Sequence, residues 1–593
     1  MHKDKVKLMN VNLQKIENLI IIGKPVDAKF CINQAIENEP TYKQVLSPWY
    51  QLALITCADY PAVDTQVISR LSYDSIQYKF WLQWSEKLKK NCLFEQAAFI
   101  LLILEENIGL STIFKISLGN CFVASRNFEH AKKILEDINP LAINCFQELE
   151  QYSLLLAGCG EKTNSIKILE HLSDISPGTS SLHNNIACLS AQQIGYEHSK
   201  KTIDHCKKAI NFSKSELERL SPYRNLANEY IKLGNYTAAE KLYDKCYEIS
   251  GSSIFLFYKS LSVLRTTNLR KGWNLYEKRL DSMETSLYAQ CKTKLWNEHE
   301  FNISNRVVCI WEQGLGDSIF CFRLLKLLDI FNVNFSLYIQ PPLLRLAQSI
   351  FSEKKVIAIH QVDIPKLIEQ LNDEEKVMPL MSLPYFFKTK SIDLFNDQAD
   401  CASLLENARV KFWRNWINSL PGYSPSCLKI GIVWKGNSQA EVGPLAGRSL
   451  SLIDLNKILR IKNCLYIPLQ YGDTCYEIYK NGYEHLFPFK SVENLSSIDL
   501  IDRACLSKNL DLAITVDTSS AHYLGMIGVN TALLLHYSYD WRWGWRSNKS
   551  SYYPTVNFFK QTFNGSWNEP LSQLEKYILA LRDKGQCSDF KDY

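Results

Sequence analysis

Arg306 to Asp317 reads RVVCIWEQGLGD, and Ser318 to Leu328 continues SIFCFRLLKLL. Arg306–Trp311 has the β-branched, apolar run of a buried strand, Gly314 to Asp317 form a glycine turn, and 318–328 predicts an amphipathic helix. A strand that feeds a helix through a tight turn is the repeating unit of a parallel α/β sheet. The pattern recurs downstream. Phe335–Ile339 reads as the next strand, closed by Pro341 and Pro342. Leu428–Trp434 opens a second such domain and runs into the turn Lys435–Gly436–Asn437, with further strands at Leu465–Leu469 and Leu512–Val516. Pro421, Gly422 and Pro425 mark the 400–427 region as a linker. Two doubly wound domains joined in this way leave a ligand cleft at the carboxyl ends of their strands.

Upstream of residue 300 the grammar is different. Tyr223 to Gly251, YRNLANEYIKLGNYTAAEKLYDKCYEISG, predicts a helix lined by Leu226, Ala227 and Tyr230, a turn at 234–236, and a second helix lined by Ala239, Tyr243 and Cys246. Small residues at 227 and 239 let the two backbones approach, and the larger ones fill the groove between them. This unit resembles the tetratricopeptide repeat. Weaker copies of the spacing occur at Leu118, Gly119, Phe122, Ala131, Leu135 and Ile138; at Ala28, Ile32, Ala35 and Pro40; at Ser165, Leu169, Leu172 and Pro177; and at Ala97, Leu101 and Leu104. Together they predict an α-solenoid, whose concave face suits a protein partner or serves only as packing. The expected fold class is therefore α plus α/β: helical repeats over 1–285, a first Rossmann-like domain over 300–425 and a second over 426–585.

Composition narrows the function classes. The chain has 593 residues, 46% hydrophobic and 22% charged, with a net charge of +5. Basic and acidic residues are interspersed, so neither nucleic acid nor an anionic membrane is implied as a partner. The opening MHKDKVKLMNVNLQKIENLIIIG lacks a signal-peptide core, and no run approaches the ~18 apolar residues that span a bilayer. The 18 cysteines form no Cys-x-x-Cys pair and sit in apolar contexts such as Cys31, Cys206 and Cys246, as expected of buried thiols in a reducing compartment. The expected location is cytoplasmic, without membrane insertion.

Two stretches carry candidate chemistry. In EQGLGD, Gly314 and Gly316 let a ligand approach the backbone, and Asp317 stands at the mouth of the cleft as a candidate general base. Spacing equally allows Asp317 to be the N-cap of a helix starting at Ser318, which is the commoner use of an aspartate there. In VDTSSAH, a strand ends in Asp517, followed by Thr518, Ser519 and Ser520 and then His522 on the next helix. Free backbone N–H groups and hydroxyls at such a helix start suit a diphosphate, to which His522 could add a proton or a hydrogen bond. A capped helix with a core histidine is the alternative. Lys435 and Arg448 are candidate cationic clamps on the same phosphates, or surface charges. The run YSYDWRWGWR, 537–546, reads either as a stacking surface or as a buried corner.

The ordered set EQGLGD, YIQPPLLRL, VMPLMSLP, GIVWKGN, GRS, PLQYG, VDTSSAH and YDWRWGWR resembles bacterial tetratricopeptide-repeat glycosyltransferases related to the heptosyltransferases (glycosyltransferase family 9-like). The segment Lys271–Arg279, KGWNLYEKR, with Leu295 and Trp296, is similar to that family's bridge between repeats and enzyme. The resemblance covers roughly residues 220–580. It implies a GT-B fold and an inverting transfer from a nucleotide sugar, with no cofactor and no obligatory metal. It places the general base at Asp317 and the donor diphosphate at Asp517, Thr518 and His522, with Lys435 as the basic residue after the second domain's first strand. Gly314, Gly316, Asn437, Arg448 and Ser519 complete the expected donor-binding set. The resemblance further implies an acceptor protein, flagellin being one example in the family, gripped by the repeats. Many members carry His and Asp between the Gly-Asn turn and the Arg-Ser pair, whereas here Glu441 is the only charge in 438–447. That departure leaves donor identity and full activity open. The alternative class is a non-catalytic repeat scaffold with a degenerate transferase domain; a lipid-linked acceptor fits less well, because no basic amphipathic helix is present.

Overall fold

The structure, a computed structural model, describes residues 13–21, 24–65, 68, 76–143, 145–176, 178–193, 195–266, 268–282, 294–296, 306–387, 405–437, 441, 447–487, 498–544, 548–563 and 565–584. Pro177, Trp545, Arg546 and all of the 438–447 loop except Glu441 and Gly447 lie outside the described residues. The chain divides into two compact units, Met1–Leu189 and Ser190–Tyr593.

The first unit is helical. Its helices include Ile76–Lys90, Phe94–Ile108, Thr112–Ala124, Phe128–Glu136, Phe146–Gly158 and Lys162–Ile175, each packed on its neighbour in the chain. The repeat residues do what their spacing predicts: Ala28, Ile32, Ala97, Leu101, Leu104, Leu118, Ala131 and Leu169 are all fully buried. A Cβ at Gly119 would stand 2.7 Å from a Leu155 methyl, so a side chain there would displace Leu155 where the helix Thr112–Ala124 seats against Phe146–Gly158. Among the described residues no helix is long and apolar enough to cross a membrane.

The second unit begins with more helix pairs. Leu220–Lys232 and Tyr236–Ser250 bury Ala227, Ala239 and Tyr243, and the Tyr243 hydroxyl donates to Asn228 Oδ1 at 2.5 Å. Asn235 caps the second helix through its side chain, which accepts from Ala238 N–H at 3.3 Å. Leu269–Tyr276 and Lys278–Ser282 end the helical part.

Two all-parallel sheets follow. The first has the order β3-β2-β1-β4, with β1 Arg306–Ile310, β2 Phe335–Ile339, β3 Lys355–Ala358 and β4 Glu375–Pro379. The second has the order β6-β5-β7-β8-β9, with β5 Leu428–Val433, β6 Cys464–Pro468, β7 Leu512–Val516, β8 Thr531–Leu535 and β9 Val556–Lys560. In each, the first strand lies inside the sheet and the order reverses beside it, which sets a ligand crevice at the ends of β1/β4 and β5/β7. The fold is thus helical repeats followed by a pair of Rossmann-like α/β sheets. One continuous apolar core, from Val307, Leu324 and Leu325 to Leu465, Ala513 and Leu524, joins the two sheets.

Two elements differ from the sequence expectation. The helix after β1 starts at Leu315, not Ser318, so Asp317 lies inside its first turn. That helix is not amphipathic: Ser318 to Leu325, Leu327 and Leu328 are buried, because it is pressed between its own sheet and the helix Ser519–Met526 of the other. The linker region contains a helix, Asn407–Asn418, anchored by buried Trp413 and Ile417 and by an Arg409–Asp502 ion pair of 2.7 Å.

Candidate active site

The site is built from two helix starts that meet. β1 ends at Ile310, and the turn through Gly314 opens the helix Leu315–Ile330. β7 ends at Val516, and Thr518 caps the helix Ser519–Met526, its hydroxyl accepting from Ser520 N–H at 3.3 Å. A Cβ at Gly316 would come within 2.9 Å of His522 Cδ2 and 3.5 Å of Ser519 Cα. A side chain at 316 would force the His522 ring to shift, and the contact brings the first turns of both helices, with their positive dipole ends, to one place.

Asp317 is fixed through both oxygens. Its Oδ2 accepts from Gly314 N–H at 2.8 Å, the helix-capping bond, and its Oδ1 pairs with the Arg542 guanidinium. Asp317 is thus not the N-cap expected from spacing but the third residue of the helix, reaching back to the Gly314 cap, and it keeps 21% of its surface exposed. Burial pushes the Asp317 carboxyl up and Arg542 pulls it back, with burial prevailing. Arg542 also donates to Asp540 Oδ1 at 2.9 Å and lies over the Trp541 ring at 4.2 Å. Against the penalty of burial, these two carboxylates hold Arg542 charged, well above the ordinary arginine value. Burial works upward on Asp540 as well, and Arg542 more than offsets it, leaving Asp540 below the ordinary carboxylate value.

Asp517 has neutral partners. Its Oδ1 accepts from the Trp543 indole N–H at 2.8 Å and its Oδ2 from Asp540 N–H at 3.4 Å. Burial, then the nearby Asp540 charge, push it up to about 6; Arg448 works the other way. His522 stacks on Trp543 at 4.7 Å, and its Nδ1 lies 3.0 Å from the Tyr553 hydroxyl. Burial, then Arg542, push it down to about 3, so the ring is neutral near pH 7 and offers a hydrogen bond, not a proton.

The remaining candidates stand at the end of β5. The register pairs Val433 with Thr515, so β5 and β7 end side by side, and Lys435 and Asp517 each follow their strand's end. Lys435 N–H donates to Gln470 Oε1 at 3.1 Å, and the Lys435 ammonium pairs with Glu477. Arg448 Nε is 3.6 Å from Glu441, and Gly436 N–H donates to Ser449 Oγ at 2.9 Å. Asn437 is exposed at the same strand end. The structure thus brings Gly316 against Ser519 and His522, holds Asp317 on Gly314 and Arg542, and sets Arg448 near enough to Asp517 to act on its charge, while Lys435 pairs with Glu477 at the end of β5.

Sequence reasoning missed Arg542, Asp540, Trp543 and Tyr553 as site residues. The signal was an arginine inside the aromatic run. Trp541 and Trp543 are 3% and 1% exposed, so residues 541–543 form a buried corner, and a charge in such a corner must have partners. It also missed why the bridge segment and EQGLGD belong together. Arg279, fully buried, donates to Glu312 at 2.7 Å and 3.1 Å, to Glu277 at 2.6 Å and to Ser382 at 2.8 Å. Trp273 and Tyr276 of the same segment pack on Trp541.

Residues 221–252 match the tetratricopeptide repeat family. No curated protein sequence matches the chain. The chain is similar to three solved structures among others. The Cut9–Hcn1 hetero-tetramer of the APC/C matches at 14% identity over 47% of this chain, with TM-score 0.31, and this chain spans about half (54%) of that one. A glycosyltransferase family 9 protein from Veillonella parvula matches at 13% identity over 48% of this chain and 99% of its own, with TM-score 0.33. An O-GlcNAc transferase mutant from Thermobaculum terrenum matches at 12% identity over 75% and 94%, with TM-score 0.26. At such identities and scores these likenesses say nothing of activity, and the parallel sheets themselves define the fold. The chain carries a tetratricopeptide repeat at 221–252 ahead of a pair of parallel α/β sheets.

Proposed function

We propose that the two-sheet part is an inverting glycosyltransferase that uses a nucleotide sugar and acts on an acceptor protein held by the helical repeats. The observation that carries this reading is the meeting of the two helix starts at Gly316 and His522, which gathers a carboxylate and an anion-binding helix end at one crevice. In the proposed step Asp317 takes the proton of an acceptor hydroxyl. The oxygen attacks the anomeric carbon, and the bond from that carbon to the phosphate oxygen breaks. The nucleoside diphosphate leaves with the electron pair. Its charge is met by the 519–526 helix start, Lys435 and Arg448, the kind of contact that usually contributes most to catalysis. Because these groups are cationic in themselves, we expect no metal requirement and no further cofactor.

The test is a thermal-shift screen of the full chain with UDP, GDP, ADP, TDP and CMP and the matching nucleotide sugars. One nucleotide at ~100 times its Kd should stabilise by about 2.7 kcal/mol. Thr518→Ala should remove the shift and Asp317→Asn should keep it. With the donor identified, Asp317→Asn should lower transfer by roughly 10²- to 10⁴-fold. No shift with any nucleotide sinks the reading. The second reading, a non-catalytic repeat scaffold, draws its support from the pairing of Asp317 with Arg542, which gives that carboxylate a structural use of its own.

A further inference from the structure

The second sheet carries an exposed aromatic ring that the step above does not use. Beyond β6 the chain turns through Leu469, Gln470 and Tyr471 beside the end of β5. Gln470, 4% exposed, grips that end: its Oε1 accepts from Trp434 and Lys435 N–H, both at 3.1 Å, and its amide donates to Lys435 O at 3.1 Å. Glu477 accepts the Trp434 indole N–H at 3.0 Å and pairs with the Lys435 ammonium. Tyr471 sits on the turn between these two grips and is 66% exposed.

A single exposed tyrosine is ordinary. What sets this one apart is its backing. The Arg503 guanidinium lies under the ring, 5.2 Å from its centroid. Arg503 is only 2% exposed, and it donates to Leu469 O at 2.7 Å and Gln470 O at 3.2 Å. Those bonds fix the turn, and the cation holds one face of the ring. A buried arginine thus keeps the ring in place while most of its surface faces solvent, beyond the carboxyl end of β6, one strand from the β5/β7 crevice. A ring held in advance loses little freedom when a flat ligand stacks on it.

We infer that Tyr471 is the platform on which the nucleobase of the donor stacks. This rests on the nucleotide-sugar reading and adds a base subsite to the phosphate subsite. Stacking of a base on a tyrosine face needs no particular hydrogen-bond pattern, so Tyr471 supplies affinity, and base selection falls to other groups.

Isothermal titration of the full-length protein with UDP, GDP, ADP, TDP, CMP and inorganic pyrophosphate tests this. Tyr471→Ala is expected to weaken the nucleotide that binds by roughly ten- to a hundred-fold. Tyr471→Phe, which keeps the ring, should restore nearly all of that affinity, and pyrophosphate should bind wild type and Tyr471→Ala alike. Unchanged nucleotide affinity in Tyr471→Ala overturns the stacking and leaves the donor reading standing. An equal loss for nucleotide and pyrophosphate also overturns it, since the residue would then shape the phosphate subsite. If wild type binds none of the nucleotides, both the stacking and the reading beneath it fall.

Discussion

Asp317 and Asp517 occupy matching places in the two sheets. Each follows a buried parallel strand, each stands at or near the start of a helix, and one chain segment, 539–544, touches both. Their neighbours make them different acids. Asp317 meets a guanidinium and keeps a fifth of its surface in solvent, so its charge is compensated where it forms. Asp517 is 5% exposed and meets an indole N–H and a backbone N–H, so burial dominates and its pKa rises to about 6. The same local strand-to-helix grammar yields two carboxylates raised by burial, one held back by a guanidinium in direct contact and one lifted to about 6 on uncharged hydrogen-bond partners.

The sharpest way to break this comparison is Arg542. Removing a buried partner leaves a charge uncompensated, so Arg542→Ala should destabilise the fold by about 3–5 kcal/mol in urea melts. Combined with Asp317→Asn the loss should be less than additive, and with Asp517→Asn nearer to additive. Additivity in both cycles would mean that Asp317 draws nothing from the arginine.

A smaller effect separates Asp517 from its neighbour His522. Asp517 titrates at about 6 when folded against an ordinary 3.8. Its contribution to stability is therefore full below the ordinary value and is lost as pH rises through 6. His522 titrates at about 3 against an ordinary 6.5, so its contribution is full above 6.5 and lost as pH falls toward 3. From about pH 4 to 6 the two slopes oppose each other, each amounting to about 2–3 kcal/mol. Over that range Asp517→Asn should gain stability relative to wild type as pH rises, and His522→Gln should lose it. Denaturant melts at three pH values decide this; two variants that simply track wild type would show that neither group is held away from its ordinary pKa.

The smallest effect tests the contact that unites the halves. Gly316→Ala forces a methyl against the His522 ring, which is itself held between Trp543 and Tyr553. A loss of about 1–2 kcal/mol is expected, together with weaker nucleotide binding. A variant as stable as wild type would show that the two helix starts separate easily.

Much of this architecture was legible in the chain. The apolar spacing at Ala227, Ala239 and Tyr243 and the runs at β1, β2, β5 and β7 depend on period and on turn residues, which act over a few positions. Less visible were β3, Lys355–Ala358, and β4, Glu375–Pro379. The first is short and half-exposed, and the second opens with Glu and Lys, so neither has the apolar run that marks a buried strand. Asp317 and Asp517 were found because each follows a strand into a turn. Arg542 was hidden because its partner Asp317 is 225 residues away, and no local pattern announces that an arginine between two tryptophans will reach across to another sheet.

By itself, the sequence determined the order of helical repeats and two α/β sheets, and the carboxylates and hydroxyls at their turns, because periodicity and glycine turns are local properties of the chain. Only the tertiary structure decided how those groups ionise. It set the apolar contact between the helices 315–330 and 519–526, the guanidinium on Asp317, the indole on Asp517 and the neutral ring of His522. Charge and pKa follow from what surrounds a group in space, and these surroundings come from segments far apart in the chain.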